Sequence, residues 1–371
     1  MNFFKHIINL IQFMSLPKEQ RRITFYSEGK NFWPHLEGLV KELLKISDIP
    51  ICYISSQKDD PGLSLSHKNY KTFEIDEGFV RNWLFENIDT DIMVMTMPDI
   101  ESFQVKRSKH SVHYVYIQHS LVSLHAVYRK GAFDYYDTIF CSGPHHVKEI
   151  RAMEKKYNLP KKNLLAHGYG RIDTIIKEAN NRPKKNKAFN NQLHVLVAPS
   201  WGPSGIIETG LCENIIDELM INNFQVTLRP HPRTIKFAKN KIDLILKKYQ
   251  GNNKFAYEKD VSGQDSFYDS DVMISDWSGA ALEYALGLSK PVIFMDIPNK
   301  INNPDYKEID IEPIEVSIRE KVGAIVCTKK KIKLPNLKDL INKKQNTNLD
   351  KIIFNLGKSH EEAKWFLKRL I

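Results

Sequence analysis

The chain has 371 residues, of which 42% are hydrophobic and 26% charged, with 17 glycines and 17 prolines. That is globular material for about two domains, and it excludes a collagen-like, disulfide-scaffold or largely disordered chain. Lysine and arginine number 54 against 44 acids, a formal charge of +10, so polyanionic surroundings are expected: nucleic acid, an anionic membrane or phosphorylated substrates.

The first predicted element is a helix over 1–14. Its period gathers Phe3, Phe4, Ile7, Ile8, Ile11 and Met14 on one face and Asn2, Lys5, Asn9 and Gln12 on the other. Pro17 ends it and Lys18, Arg21 and Arg22 follow. Two readings stand: a helix lying in an anionic membrane interface, or one packed on its own domain. Short apolar runs at 23–26, 51–54, 92–95, 112–117 and 138–141 then predict strands, with a helix over 36–45. Buried strands alternating with helices indicate a parallel α/β sheet. The polar, basic stretch 180–192 reads as a linker. A second series follows, with strands at 195–198, 225–228, 272–275 and 292–295 and helices over 211–220, 279–288 and 360–371. The expected domains are 1–182, with 1–16 as the amphipathic helix, and 192–345, followed by a helical segment over 346–371. Their ligand cleft would lie near the carboxyl ends of the strands.

Several candidates sit at those strand ends. His119, in Gln118-His119-Ser120 after a strand, is placed where an imidazole can take a proton from an acceptor hydroxyl. In Arg229-Pro230-His231-Pro232-Arg233, two prolines stiffen the backbone around His231, and both arginines suit phosphate oxygens. In Ser275-Asp276-Trp277-Ser278-Gly279 a strand gives way to a helix, with Ser278 as N-cap and Gly279 allowing close approach of an anion. Ser200, in the loop Ala198-Pro199-Ser200-Trp201-Gly202, Arg171 after Gly168-Tyr169-Gly170, Ser120 and Glu283 are further candidates. Plain capping and solvated turns are the alternative reading of each motif. Asp89-Thr90-Asp91 precedes an apolar run and reads as a strand entry, and His145-His146 has no Cys or carboxylate partner at ligand spacing, so no metal is expected. Lys329, Lys330, Lys331 and Lys333 read as a solvated face, and no RNA-recognition or zinc-finger signature is present.

The four cysteines, Cys52, Cys141, Cys212 and Cys327, form no C-x-x-C pair, which suits a reducing compartment. No apolar run reaches the roughly 20 residues that span a bilayer, and 1–14 lack a signal-peptide cleavage site. A cytoplasmic protein is expected, peripheral at most at the inner face of the membrane.

In this order, the motifs resemble those of the CDP-glycerol glycerophosphotransferase family, the teichoic-acid and capsule polymerase group, over about 92–297. Gln118-His119 matches the family's Q-H-G-like element. Gly168 to Asp173 matches G-x-P-R-x-D, with Gly170 in place of proline. Ala198-Pro199-Ser200-Trp201 matches A-P-T-W, Arg229 to Pro232 matches K/R-x-H-P, and Ser275 to Gly279 matches S-D-Y-S-S. The resemblance implies a GT-B fold, two Rossmann-like domains facing a cleft, with the last helix crossing back to the first domain. It implies transfer of a glycerol-phosphate or similar polyol-phosphate from a CDP-activated donor to a hydroxyl of a lipid-linked or polymeric glycan. No cofactor, metal or nucleic acid is implied. His119 would be the general base. Arg229, His231 and Arg233 would bind the donor diphosphate, with Ser275, Ser278 and Gly279, and Asp276 would orient His231 or the polyol. Ser120 in place of glycine, an unmatched stretch at 296–306, and no long N-terminal region keep open a single-addition transferase or a glycosyltransferase using a UDP- or GDP-sugar. A non-enzymatic polyanion-binding protein is the remote alternative, resting on charge alone.

Overall fold

The computed structural model describes residues 2–46, 48–103, 105–183, 192–259, 265–329, 332–343 and 348–371. Most of the predicted linker, 184–191, and Lys330 and Lys331 of the lysine cluster lie outside the described residues. The chain forms two compact units. One comprises Met1–Asp173, Ile301–Ile311 and Leu349–Ile371, and the other Thr174–Lys300 and Glu312–Asn348.

The first unit is built on seven parallel strands: β1 (Ile23–Ser27), β2 (Ile51–Ser55), β3 (Tyr70–Glu74), β4 (Ile92–Met95), β5 (His113–Ile117), β6 (Thr138–Cys141) and β7 (Asn163–Ala166), in the order β3-β2-β1-β4-β5-β6-β7. Successive side chains leave opposite faces of a strand, and here both faces are buried. Tyr26, Met93 and Tyr114 join a core that receives Ile7, Leu10, Phe13 and Met14 of the first helix. Phe25, Val94 and Val115 join another, against Leu36, Leu39 and Leu43 of the helix Trp33–Ile46 and Ala363 and Leu367 of Ser359–Arg369. The C-terminal helix therefore belongs to the first unit. Its His360 donates or accepts at 3.2 Å with His167 and sits so close to Gly38 and Gly170 that a Cβ on either would meet the imidazole.

The first helix, Asn2–Met14, packs on its own domain along part of its apolar face. Phe13 is fully buried, with Ile7, Leu10 and Met14 against the core. Phe4, Ile8 and Ile11 stay 73%, 54% and 61% exposed, so the predicted single apolar face is divided between the interior and water. No described helix is long and apolar enough to cross a membrane.

The second unit carries six parallel strands: β8 (His194–Val197), β9 (Gln225–Leu228), β10 (Phe255–Tyr257), β11 (Val272–Ser275), β12 (Val292–Asp296) and β13 (Gly323–Cys327), in the order β10-β9-β8-β11-β12-β13. In both sheets the order reverses beside the first strand, between β1 and β4 and between β8 and β11. The loops leaving such a pair diverge and open a crevice at the strands' carboxyl ends. Nine strands coincide with predicted runs; β3, β7, β10 and β13 do not, and these are the four sheet edges.

Candidate functional site

The predicted residues fall into two groups, one in each unit. In the first unit, β5 ends at Ile117 and delivers Gln118, His119 and Ser120 to the carboxyl edge of the sheet. The His119 imidazole lies among aromatic rings. Tyr116 Oη is 3.1 Å from Nδ1 and Tyr128 Oη 3.4 Å from Nε2, while the Phe32 ring centre lies 5.6 Å away. Burial pulls the His119 pKa down to about 4, opposed only by a backbone hydrogen bond at Thr96, so the ring is neutral near pH 7. One of its nitrogens then carries the proton and the other keeps a lone pair. Gln118, 2% exposed, has no partner for either amide atom among the described residues. The Ser120 hydroxyl accepts weakly from the Val122 N–H at 3.4 Å.

Sequence reasoning missed His35. It lies in the first turn of the helix Trp33–Ile46, which follows β1. Its ring is 6.2 Å from His119 and stacks 5.7 Å from Tyr169. Burial, then the fields of His119 and Arg171, hold its pKa well below the ordinary value. The predicted Arg171 is thus brought to the same neighbourhood. The signal was available in Trp33-Pro34-His35, a proline opening a helix beside a histidine just past a strand.

In the second unit the loops after β8, β9, β11 and β12 converge. Asp276 is 1% exposed, and its Oδ1 accepts the Ser200 N–H at 2.7 Å. The Ser275 hydroxyl donates to the Ala198 carbonyl at 2.7 Å. These two bonds join the strand ends at the reversal point. Burial raises the Asp276 pKa. Ser278 takes the predicted cap position of the helix Gly279–Leu288 with its backbone alone, since its hydroxyl makes no capping bond. The first-turn N–H groups thus lack a side-chain cap, the arrangement in which a helix N-terminus receives an anion. Glu283 lies further along the same helix, half-buried.

After β9, His231 caps the helix Pro232–Phe237, its Nδ1 accepting the Arg233 N–H at 3.1 Å, with Pro232 in the first helical position. Burial, then Lys300 and Arg233, lower its pKa to about 4. A neutral ring whose Nδ1 accepts must carry its proton on Nε2, which makes Nε2–H a donor. Arg229 is held by Glu258, Nε to Oε1 at 3.4 Å, and lies 5.7 Å over Phe267. Trp201 gathers the remaining bases: Arg233 and Lys300 each lie 4.4 Å over its ring, and His231 is 6.1 Å from it.

Lys300 and Arg319 were not foreseen. Arg319, 2% exposed, lies 3.4 Å over Trp277 and donates Nε–H to the Glu315 carbonyl at 3.0 Å. Burial brings its pKa down to about 10. Nothing in the sequence marks it, because it reaches Trp277 from beyond β12. Lys300 had a weak signal, its place in a Pro-Asn loop just past a strand. Among the described residues no group of three or more His, Cys, Asp or Glu could hold a metal ion. A cavity of about 1020 Å³ lies elsewhere, at the opposite, amino edge of the first sheet beside Arg22, Pro50 and Asn69.

Solved structures similar to this chain include the UDP-GlcNAc 2-epimerase of Methanocaldococcus jannaschii in complex with UDP-GlcNAc and UDP. That protein is 15% identical, with 94% of this chain and 99% of that one covered and a TM-score of 0.60. The Neisseria meningitidis UDP-GlcNAc 2-epimerase is 12% identical over 94% and 99%, with a TM-score of 0.58. A glycosyltransferase from Rickettsia africae is 12% identical over the same shares, at 0.52. At such identities the likeness is one of fold, and the fold is GT-B, as the resemblance implied. No curated protein matches the chain. The profile of the CDP-glycerol:poly(glycerophosphate) glycerophosphotransferases matches residues 102–299, more than half of the chain. This transferase belongs to the CDP-glycerol:poly(glycerophosphate) glycerophosphotransferase family.

Proposed function

We propose that the protein transfers a glycerol-phosphate or similar polyol-phosphate group from a CDP-activated donor to a hydroxyl of a lipid-linked or polymeric glycan, in the synthesis of a bacterial surface polysaccharide. The observation that carries this reading is His119, a neutral imidazole at a strand end held between two tyrosine hydroxyls. In the tautomer that donates Nδ1–H to the buried Tyr116, the Nε2 lone pair is left for the acceptor in place of Tyr128. The acceptor hydroxyl loses its proton to Nε2 as its oxygen attacks the polyol-bearing phosphorus. The bond from that phosphorus to the bridging oxygen breaks, and CMP leaves with the electron pair.

The developing charge on CMP calls for fixed donors. Arg229, Arg233, the Nε2–H of His231 and the uncapped N-terminus at Ser278-Gly279 are of the kind that bind a donor diphosphate and stabilise the departing CMP phosphate without a metal. Asp276 and Ser275 hold the strand ends in register. Outside the chemistry, Phe4, Ile8 and Ile11 offer an apolar face to an anionic membrane carrying the acceptor.

The test is CMP release from CDP-glycerol with a glycan acceptor. His119→Gln is expected to lower turnover by about 10²- to 10⁴-fold with the melting temperature kept, and full turnover in that variant overturns the assignment. A second reading, a UDP- or GDP-sugar donor, draws on the UDP-GlcNAc complex among the structures of like fold. Thermal stabilisation by UDP or GDP compounds and not by CDP compounds would select it.

A further inference from the structure

The Trp201 indole organises three basic side chains from two other loops, and one of them lies outside every motif matched above. Lys300 follows β12, one residue past the matched stretch that ends at 299. Its ammonium lies 4.4 Å over the Trp201 ring, as does the Arg233 guanidinium, and His231 is 6.1 Å from the same ring. Neither Lys300 nor Arg233 forms an ion pair with any described carboxylate, whereas Arg229 is neutralised by Glu258. Asp276 and Glu208 act on Lys300 only through their fields; Glu208 spends Oε1 on the Thr234 hydroxyl at 2.8 Å.

Two like charges held on one aromatic ring repel each other, and the fields of Asp276 and Glu208 offset that without an ion pair. Such an arrangement is unfavourable when empty and favourable once an anion neutralises the cations. Its neighbours say which anion. Ser200 and Asp276 tie the Trp201 loop to the loop that opens the helix Gly279–Leu288, so the ring and the uncapped helix end share one strand-reversal crevice. Resting on the donor reading above, we infer that Lys300 is a ligand of the donor's diphosphate, with Arg233 as the second cation on Trp201; uptake of a proton on donor binding is its readout.

The proton follows from the surroundings. Burial, then Arg233, lower the Lys300 pKa to about 8 although Asp276 and Glu208 oppose them, and Lys300 in turn lowers that of His231. A bound diphosphate adds negative charge beside the amine and returns its pKa toward the ordinary 10.5. Near pH 8.5 the free amine is partly neutral and the bound one charged, so binding takes up protons. His231 is neutral on both sides of the step at this pH.

Titration calorimetry of the full chain with CDP at pH 8.5, in two buffers of different ionisation heat, reads both affinity and proton uptake. The wild type is expected to bind with uptake. Lys300→Met should bind about 10- to 100-fold more weakly with the uptake gone. Lys300→Arg, permanently charged, should keep most of the affinity and also lose the uptake. Equal affinity and equal uptake in the wild type and Lys300→Met would overturn the assignment of Lys300 while leaving the donor site intact. A wild type that binds none of CDP, UDP and GDP would overturn the donor reading and this inference together.

Discussion

His231 has two separable jobs, and a pair of substitutions can pull them apart. Its Nδ1 accepts the Arg233 N–H at 3.1 Å and caps the helix Pro232–Phe237, while Nε2–H is left as a donor. Asparagine places a carbonyl oxygen close to where Nδ1 stood, so His231→Asn keeps the cap and removes the donor. His231→Ala removes both. Loss of a side-chain cap costs about 0.5–2 kcal/mol, which for a unit of this size is a fall in melting temperature of about 2–4 °C for each kcal/mol. Loss of one fixed donor to a developing oxyanion costs about 10²- to 10³-fold in turnover. Both variants should therefore be slow in CMP release, and only the alanine variant should melt early. Wild-type turnover in His231→Asn would reduce His231 to a cap. An asparagine variant as unstable as the alanine one would show that the cap is not what holds this turn.

Two further outcomes follow from the same geometry. The pKa values of His119, His231 and His360 are lowered to about 4, and those of His146 and His167 fall well below the ordinary value, in every case mainly by burial. The folded protein keeps these rings neutral, whereas the unfolded chain binds protons below about pH 6.5; the stability they contribute is complete above 6.5 and is lost as pH falls toward 4. For the fully buried His146 and His167 the loss is about 1.4 kcal/mol per pH unit each, and a urea midpoint that stays constant from pH 7 to 5 would contradict it. Replacing Phe4, Ile8 and Ile11 by serine should weaken co-sedimentation with vesicles containing phosphatidylglycerol without lowering the melting temperature, because these side chains face water; unchanged sedimentation would remove the membrane from the proposal.

The legible part of this fold was its interior. A strand paired on both sides and covered on both faces is largely apolar, as in Ile92–Met95 or residues 272–274 of β11, and such runs stand out from a sequence. The edges obey a different constraint. Tyr70–Glu74 buries only Tyr70 and Phe73, Asn163–Ala166 has no fully buried residue, and both carry polar side chains that discourage pairing with another chain. What protects an edge from aggregation also hides it from a search for apolar runs. The first helix was ambiguous for a related reason. A period of 3.6 locates an apolar surface, but Phe13 and Phe4 carry the same hydrophobic signal, and only packing sends one to the core and the other to water.

The site divides along the same line. Where a strand ends in a rigid, polar loop, the motif is local, so His119, His231 and Asp276 could be read directly, each at the carboxyl end of a parallel strand where ligand groups collect. Residues that reach the site through tertiary structure leave no local mark. Arg319 arrives at Trp277, and Lys300 at Trp201, because β12 lies beside β11 in the sheet. Both contacts place a cation on a tryptophan that belongs to a legible motif. The rings of these two tryptophans are what the distant cations find. An aromatic residue set among strand-end serines, glycines and prolines is thus the local sign of a charge that will come from elsewhere in the chain. The sign is physical: the ring offers a partly desolvated cation a face without neutralising it, which leaves the charge available to a phosphate.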